Sequence, residues 1–284
     1  MQKKVLILIL ILVPLASILF FNSQIFKNDS TIEYTEIPIH TSLFQIIAPS
    51  STLSLDQDTG IVTYEQAKYQ LKPELSEVYS QIGFMDEDSK TAVIYPTFTQ
   101  TAYSKNGFYD YYNSDCDESC LTVEIQDNFD GEYASSRAGY NVLQLLGYKS
   151  ITDIDVDKDP TILEKYETII VLHNEYVTKK QFDAITTHPH VIYLYPNALY
   201  AEIDVDYAKN TIRLIQGHEY PTSDIDNGFN WEFENTRPYE FDNTCQNWNF
   251  YEIDNGYQLN CYPEYVIFQD QKLLEEIKEL SLKK

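Results

Sequence analysis

Three short segments hold the residues best suited to chemistry. They are Thr101-Ala102-Tyr103, His173-Asn174-Glu175-Tyr176, and Tyr195-Pro196-Asn197-Ala198-Leu199-Tyr200. A histidine and a glutamate two residues apart at a strand exit can act as metal ligand and outer partner, or as acid and base. A plainer reading competes with this one. Glu175 ahead of a helix start would favour the helix dipole, and His173 would be a hydrogen-bonded core residue. His218-Glu219, after a later strand, repeats the pairing in weaker form, whereas His40, His188 and His190 read as loop or turn residues. The usual nucleophile arrangements are missing, with no G-x-S-x-G or G-x-C-x-G elbow and no H-E-x-x-H. Only nine glycines occur, and none forms a phosphate-cradling loop. A metal-assisted site or no catalysis remains.

Whether these segments meet depends on the elements between them. Ala92-Val93-Ile94-Tyr95 is a short apolar strand stopped by Pro96, and a loop rich in aromatics follows (Phe98, Tyr103, Phe108, Tyr109, Tyr111, Tyr112). A helix opened by Ser135 places Ala138, Val142, Leu145 and Leu146 on one face and ends at Gly147 as a C-terminal cap. Ile151 to Val156 reads as a strand, Asp159-Pro160 as a short helix start, and Thr168 to Leu172 as another strand. Thr178 and Gln181 form a capping box, the helix they open ends at His188-Pro189, and Val191 to Tyr195 is the next strand. This alternation predicts an α/β fold with a doubly wound, mostly parallel sheet over residues 61–217. Ligands bind such a sheet beyond the carboxyl ends of its strands. Tyr103, His173, Glu175 and Asn197 should therefore share one rim.

The flanks read differently. Pro73 to Ile82 suits a helix, while residues 25–60 read as a stalk running into irregular packing or short strands. Thr211 to Ile215 suits one more strand. Residues 218–284 read as a β-rich extension closed by a terminal helix on Leu273, Leu274, Ile277 and Leu280. At the other end, Lys3 and Lys4 precede an apolar run from Val5 to Phe21. That run is near the lower limit of the ~17–25 residues that span a bilayer, and the lysines place the rest of the chain outside. Residues 1–24 are expected to be an uncleaved transmembrane anchor, the alternative being a removed signal peptide. The protein would then be single-pass at the cell membrane, or secreted.

Formal net charge is −24, which makes nucleic acid an improbable partner. The four cysteines suit disulfides in an exported chain, with Cys116–Cys120 and Cys245–Cys261 paired by proximity. A four-thiolate zinc site is the rival, but only the first pair has ligand-like spacing.

The run His173-Asn174-Glu175-Tyr176-Val177-Thr178, then Phe182-Asp183-Ala184-Ile185 and Tyr193 to Tyr200, resembles the C-terminal domain of the N,N-dimethylformamidase large subunit. The family pattern there is H-P-E-Y-W-T, a helix with D-A-L, and N-G-F-Y. Upstream, Pro96-Thr97-Phe98-Thr99-Gln100-Thr101-Ala102-Tyr103 is similar to the family's P-T-N-T-x-x-A-Y, and Gly147-Tyr148 with Thr152-Asp153-Ile154-Asp155 to its G-Y and T-D-x-D. The likeness covers about residues 91–203. The whole chain also resembles archaeal membrane-anchored surface proteins. The first resemblance implies a glutamine amidotransferase-like (flavodoxin-like) fold without its cysteine nucleophile. It also implies a single iron ion on two tyrosines and a glutamate, hydrolysing a small amide. Carried over, Glu175 and Tyr103 are metal ligands, His173 and Asn197 line the pocket, and Tyr133 is the candidate second tyrosine. Asn174 replaces the family's proline, Val177 its tryptophan, and His188-Pro189-His190 stands where a double glycine is expected. The expected activity is metal-dependent hydrolysis of small amide-like bonds. The alternative is a non-catalytic cell-surface or envelope binding protein with a degenerate domain.

Overall fold

A computed structural model describes residues 32–37, 39, 41–55, 62–63, 66–85, 88–126, 136–231 and 245–283. The expected membrane segment and Tyr133 lie outside them. Among the described residues, no helix is long and apolar enough to cross a membrane.

Strands β1 (Tyr34–Glu36) and β2 (Phe44–Pro49) come first, then a two-stranded ribbon of β3 (Ser54–Leu55) and β4 (Val62–Thr63). Strand β5 (Lys68–Leu71) pairs with β2 to complete an antiparallel sheet in the order β1-β2-β5. Helix α1 (Ser76–Ile82) leads into β6 (Thr91–Tyr95), α2 (Thr97–Ala102), α3 (Phe108–Tyr112) and β7 (Thr122–Glu124). Then come α4 (Arg137–Leu145), β8 (Lys149–Thr152), α5 (Asp153–Lys158), β9 (Thr168–Val171), β10 (Tyr176–Val177), α6 (Lys179–Thr187) and β11 (Val191–Tyr193). Two hairpins follow, β12 (Ala201–Asp206) with β13 (Thr211–Gln216) and β14 (Phe250–Ile253) with β15 (Gly256–Leu259). Helix α7 (Gln271–Leu282) closes the chain.

The central sheet runs β14-β15-β11-β9-β6-β8, and every pairing in it is parallel except β14 with β15. Strand side chains alternate between faces. Val93, Ile170 and Ile192 pack with Val142 and Leu146 of the α4 region and with Leu274 and Ile277 of α7. Ala92, Ile94, Ile169, Val171 and Val191 pack on the other side with Val156 of α5 and Ile185 of α6. Helices thus cover both faces, which is why these strands are apolar throughout. The expected α/β class is present. A second sheet, β10-β12-β13-β7, encloses a third apolar cluster with Phe98 and Phe108 of α2 and α3.

Several local expectations need correction. The strand foreseen over Ile151–Val156 stops at Thr152, because Thr152 and Asp155 exchange capping hydrogen bonds that start α5. Within residues 25–60 the short strands foreseen are β1 and β2, and Phe44, Ile46 and Ala48 are buried in the main core, so this part is no stalk. Ser136 flanks helix α4, Ser135 lies outside the described residues, and Leu143 is fully buried while Leu145 packs half-buried against the core. Gly147 does cap it, with φ +84° and no room for a side chain, since a Cβ would lie 2.5 Å from the Phe84 carbonyl. The capping box of Thr178 and Gln181 is present.

Both disulfides form as paired by proximity, Cys116–Cys120 and Cys245–Cys261. Such bridges belong to proteins folded in oxidising compartments. The second one joins the ends of the β14–β15 excursion, and the chain then returns across the sheet to Glu264. The Glu264 carboxyl accepts hydrogen bonds from the Ala138 N–H and the Tyr195 hydroxyl, both at 2.6 Å, in the first turn of α4.

Burial pushes the Glu264 carboxyl up to about 7, against the pull of the Ala138 N–H and the Tyr195 hydroxyl. A raised carboxyl pKa stabilises the fold fully below the ordinary value of 4.5 and is lost as pH rises through about 7. Glu264→Gln should therefore flatten the fall in thermal midpoint between pH 5 and pH 8, removing about 2–3 kcal/mol of pH dependence. Native and variant midpoints that fall in parallel would refute this role.

Candidate functional site

Strand order reverses between β6 and β9, because the chain continues from β6 to β8 on one side and to β9 and β11 on the other. That reversal opens a crevice at the carboxyl ends of the two strands. Helix α2 leaves β6 across Pro96 and carries Thr99, whose hydroxyl accepts the N–H groups of Glu175 at 2.9 Å and Tyr176 at 3.2 Å. The Glu175 carbonyl accepts the N–H groups of Tyr200 at 2.9 Å and Ala201 at 3.0 Å, and the Asn174 carbonyl that of Leu199 at 2.8 Å. Asn174 Oδ1 accepts the Leu172 N–H at 3.0 Å. The loop that carries Glu175 is thus fixed at both its amide and its carbonyl before its side chain is considered.

The Glu175 side chain has no exposed surface. Tyr103, which closes α2, donates its hydroxyl to Oε2 at 2.8 Å. Tyr109 on α3 lies one turn further, with its hydroxyl 2.6 Å from that of Tyr103 and 3.4 Å from Oε1. The two rings stack at 4.0 Å between centroids. His173 Nε2 stands 3.3 Å from Oε2, and His218 Nε2 hydrogen-bonds Oε1. Two more buried hydroxyls, those of Tyr112 and Tyr176, lie beside the cluster and close to each other.

Burial by itself would raise the Glu175 pKa, but His218, His173 and the Tyr103 hydroxyl together hold it below the usual value. Burial, then the charge of Glu175, pushes the Tyr103 hydroxyl far above its ordinary range. A phenolate at this spot requires a compensating positive charge.

Of the residues expected to converge, Tyr103, His173 and Glu175 do so. Asn197 does not join them by any hydrogen bond. It occupies a left-handed turn at φ +62°, and its buried Oδ1 is unpartnered. Tyr109 and His218 complete the cluster instead. Tyr109 belonged to the aromatic loop already noted, and His218 was the weaker His-Glu echo. His218 reaches Glu175 because Gly217, His218 and Glu219 all have positive φ, at +124°, +52° and +62°. A side chain at Gly217 would press on Ala201, its Cβ only 2.7 Å from the Ala201 Cβ.

An open cleft of about 610 Å³ reaches the cluster at His218 and is also lined by Tyr111, Tyr112, Asp115, Asp117 and Glu219. Among the described residues, no three His, Cys, Asp or Glu side chains are grouped to hold a metal. A cation here would need tyrosine oxygens. The donors present suit that, because the oxygens of Tyr103, Tyr109 and Glu175 stand 2.6–3.4 Å apart, close enough to face one ion. Phenolate and carboxylate oxygens are hard ligands, appropriate to a ferric ion. No family model matches the chain, and no curated protein does.

Thr99 sets the position of the whole loop, which makes it the sharpest structural test. Thr99→Val should strand two buried amides and cost about 2–4 kcal/mol in denaturant unfolding, while Thr99→Ser should recover most of it. Equal losses in the two variants would show that the hydroxyl is not what holds Glu175.

Proposed function

We propose that the chain is a metal-dependent hydrolase of small amide-like bonds, with a single iron ion held by Tyr103, Tyr109 and Glu175. The observation that carries this reading is the fully buried Glu175 carboxylate meeting two tyrosine hydroxyls from separate elements. Two tyrosines and a glutamate are the ligand set that the dimethylformamidase resemblance implies, and Tyr109 takes the place first sought at Tyr133. The strand order β8-β6-β9-β11-β15 supports the finer assignment to a flavodoxin-like, amidotransferase-like sheet, with the site at its reversal point. The two disulfides, together with the lysine-led apolar run at 1–24, support a location outside the cell membrane.

A hard cation bound here would polarise an amide carbonyl and make water a stronger nucleophile at neutral pH. The chain's own residues divide the remaining tasks. Tyr103 and Tyr109 would supply phenolic oxygens to such a cation. Glu175 contributes a carboxylate, its pKa held below the usual value by His218, His173 and the Tyr103 hydroxyl despite burial. His173 Nε2, buried beside Oε2, is placed to carry a proton between the reacting group and the carboxylate. The cleft beside His218 admits a small substrate, and the enclosed cluster behind it excludes bulk water.

Elemental analysis of the purified full chain should find about one iron per chain. Glu175→Ala, Tyr103→Phe and Tyr109→Phe should each lose the metal and lower hydrolysis of small amides by about 100-fold or more. Metal-free native protein, with all three variants behaving like it, rejects the proposal and favours a binding protein built on the same pocket.

A further inference from the structure

We propose that His218 is a direct metal ligand, so that the centre is a mixed nitrogen and oxygen site. This rests on the metal reading above and assigns a residue that the resemblance does not supply. Three observations carry it.

The first is contact. His218 Nε2 bonds Glu175 Oε1, the same oxygen that Tyr109 approaches at 3.4 Å. An ion seated between the Tyr109 and Glu175 oxygens lies within reach of that nitrogen, and a hydrogen bond between two ligands needs little movement to become a shared ion.

The second is confinement. The imidazole is packed against Tyr200 at 4.4 Å between centroids, Tyr112 at 5.4 Å and Tyr176 at 5.7 Å. Its side chain is only 9% exposed. Three tyrosines hold the ring on its buried side, and only its edge meets the cleft. Its Nε2 therefore stays on the side of the ring that faces Glu175, where an ion would sit.

The third is the backbone. His218 and Glu219 hold left-handed conformations that side chains other than glycine adopt at a cost, and such costs persist where they serve a site. The left-handed run delivers this one imidazole to Glu175 from an element remote from β9. His173 does not compete for the same role. It meets Oε2, the opposite oxygen, so the carboxylate separates the two imidazoles. That arrangement agrees with the lack of a His/Cys/Asp/Glu triple among the described residues.

A site with one imidazole, two phenols and a carboxylate accepts borderline divalent ions as well as hard ferric iron. Copper(II) is therefore a usable probe. Loaded into the purified full chain, it should show pulsed-EPR modulation from the remote nitrogen of one strongly coupled imidazole. His218→Gly should abolish that signal and weaken copper binding at least ~10-fold. Glycine suits φ +52°, so the variant keeps its fold, which near-ultraviolet circular dichroism checks. Added free imidazole should restore the nitrogen signal and the affinity by filling the vacated space. Copper bound natively with oxygen-only spectra, or with a nitrogen signal that His218→Gly leaves intact and His173→Gln removes, overturns the assignment while leaving the metal site standing. Native protein that binds neither iron nor copper overturns both.

Discussion

A carboxylate with no surface in water is the constraint around which this molecule is arranged. Leaving an ionised group in the interior without partners costs far more than the few kcal/mol by which a domain is stable. Glu175 meets that demand with donors from four separate segments: Tyr103 after α2, Tyr109 on α3, His173 after β9 and His218 after β13. Only His173 is close to Glu175 in sequence, and the other three arrive from distant parts of the chain. The second sheet follows from the same requirement. Its strand β10 begins at Tyr176, immediately after Glu175, and its pairing with β12 starts at Tyr176 and Ala201, where the Glu175 carbonyl is already bonded. Fixing the carboxylate and building the sheet above it are one act of folding.

Four of the nine left-handed side-chain-bearing residues described gather at the same place. Asn197, Leu199, His218 and Glu219 are all left-handed, and each such residue costs of order 1–3 kcal/mol at the upper range for side chains that resist it. Leu199 donates to Asn174, and His218 reaches Glu175, so both strained turns close on the glutamate loop. The surrounding apolar cores are conventional by comparison.

The sheet was legible because its strands are apolar on both faces and its helices carry capping signals. Thr178-x-x-Gln181 and Gly147 each state a helix boundary in residue chemistry, and the structure agrees with both. Thr152-x-x-Asp155 carried the same signal, but Ile151, Ile154 and Val156 resemble a strand when read by hydrophobicity alone. Strands β1 and β2 were obscured because their partners are antiparallel neighbours and a distant core, which leave no local period. For the site, Tyr103, His173 and Glu175 sat on predictable strand exits. Tyr109 was hidden by abundance, as one of several tyrosines in a loop whose helical turn is too short to announce itself. His218 was hidden by conformation, since nothing in Gly217-His218-Glu219 apart from the glycine betrays three consecutive left-handed residues.

Charge links the buried cluster to the surface. A chain of net charge −24 sits in its own negative potential, which gathers cations and repels anions before any specific contact is made. The cleft continues that field inward, for Asp115, Asp117 and Glu219 line it and no lysine or arginine does. The disulfide Cys116–Cys120 ties the segment bearing those aspartates, so the mouth is a fixed acidic rim. Such an approach disfavours carboxylate and phosphate ions. The same field that would draw a cation toward Glu175 thereby selects against the commonest competing ligands of a hard metal ion.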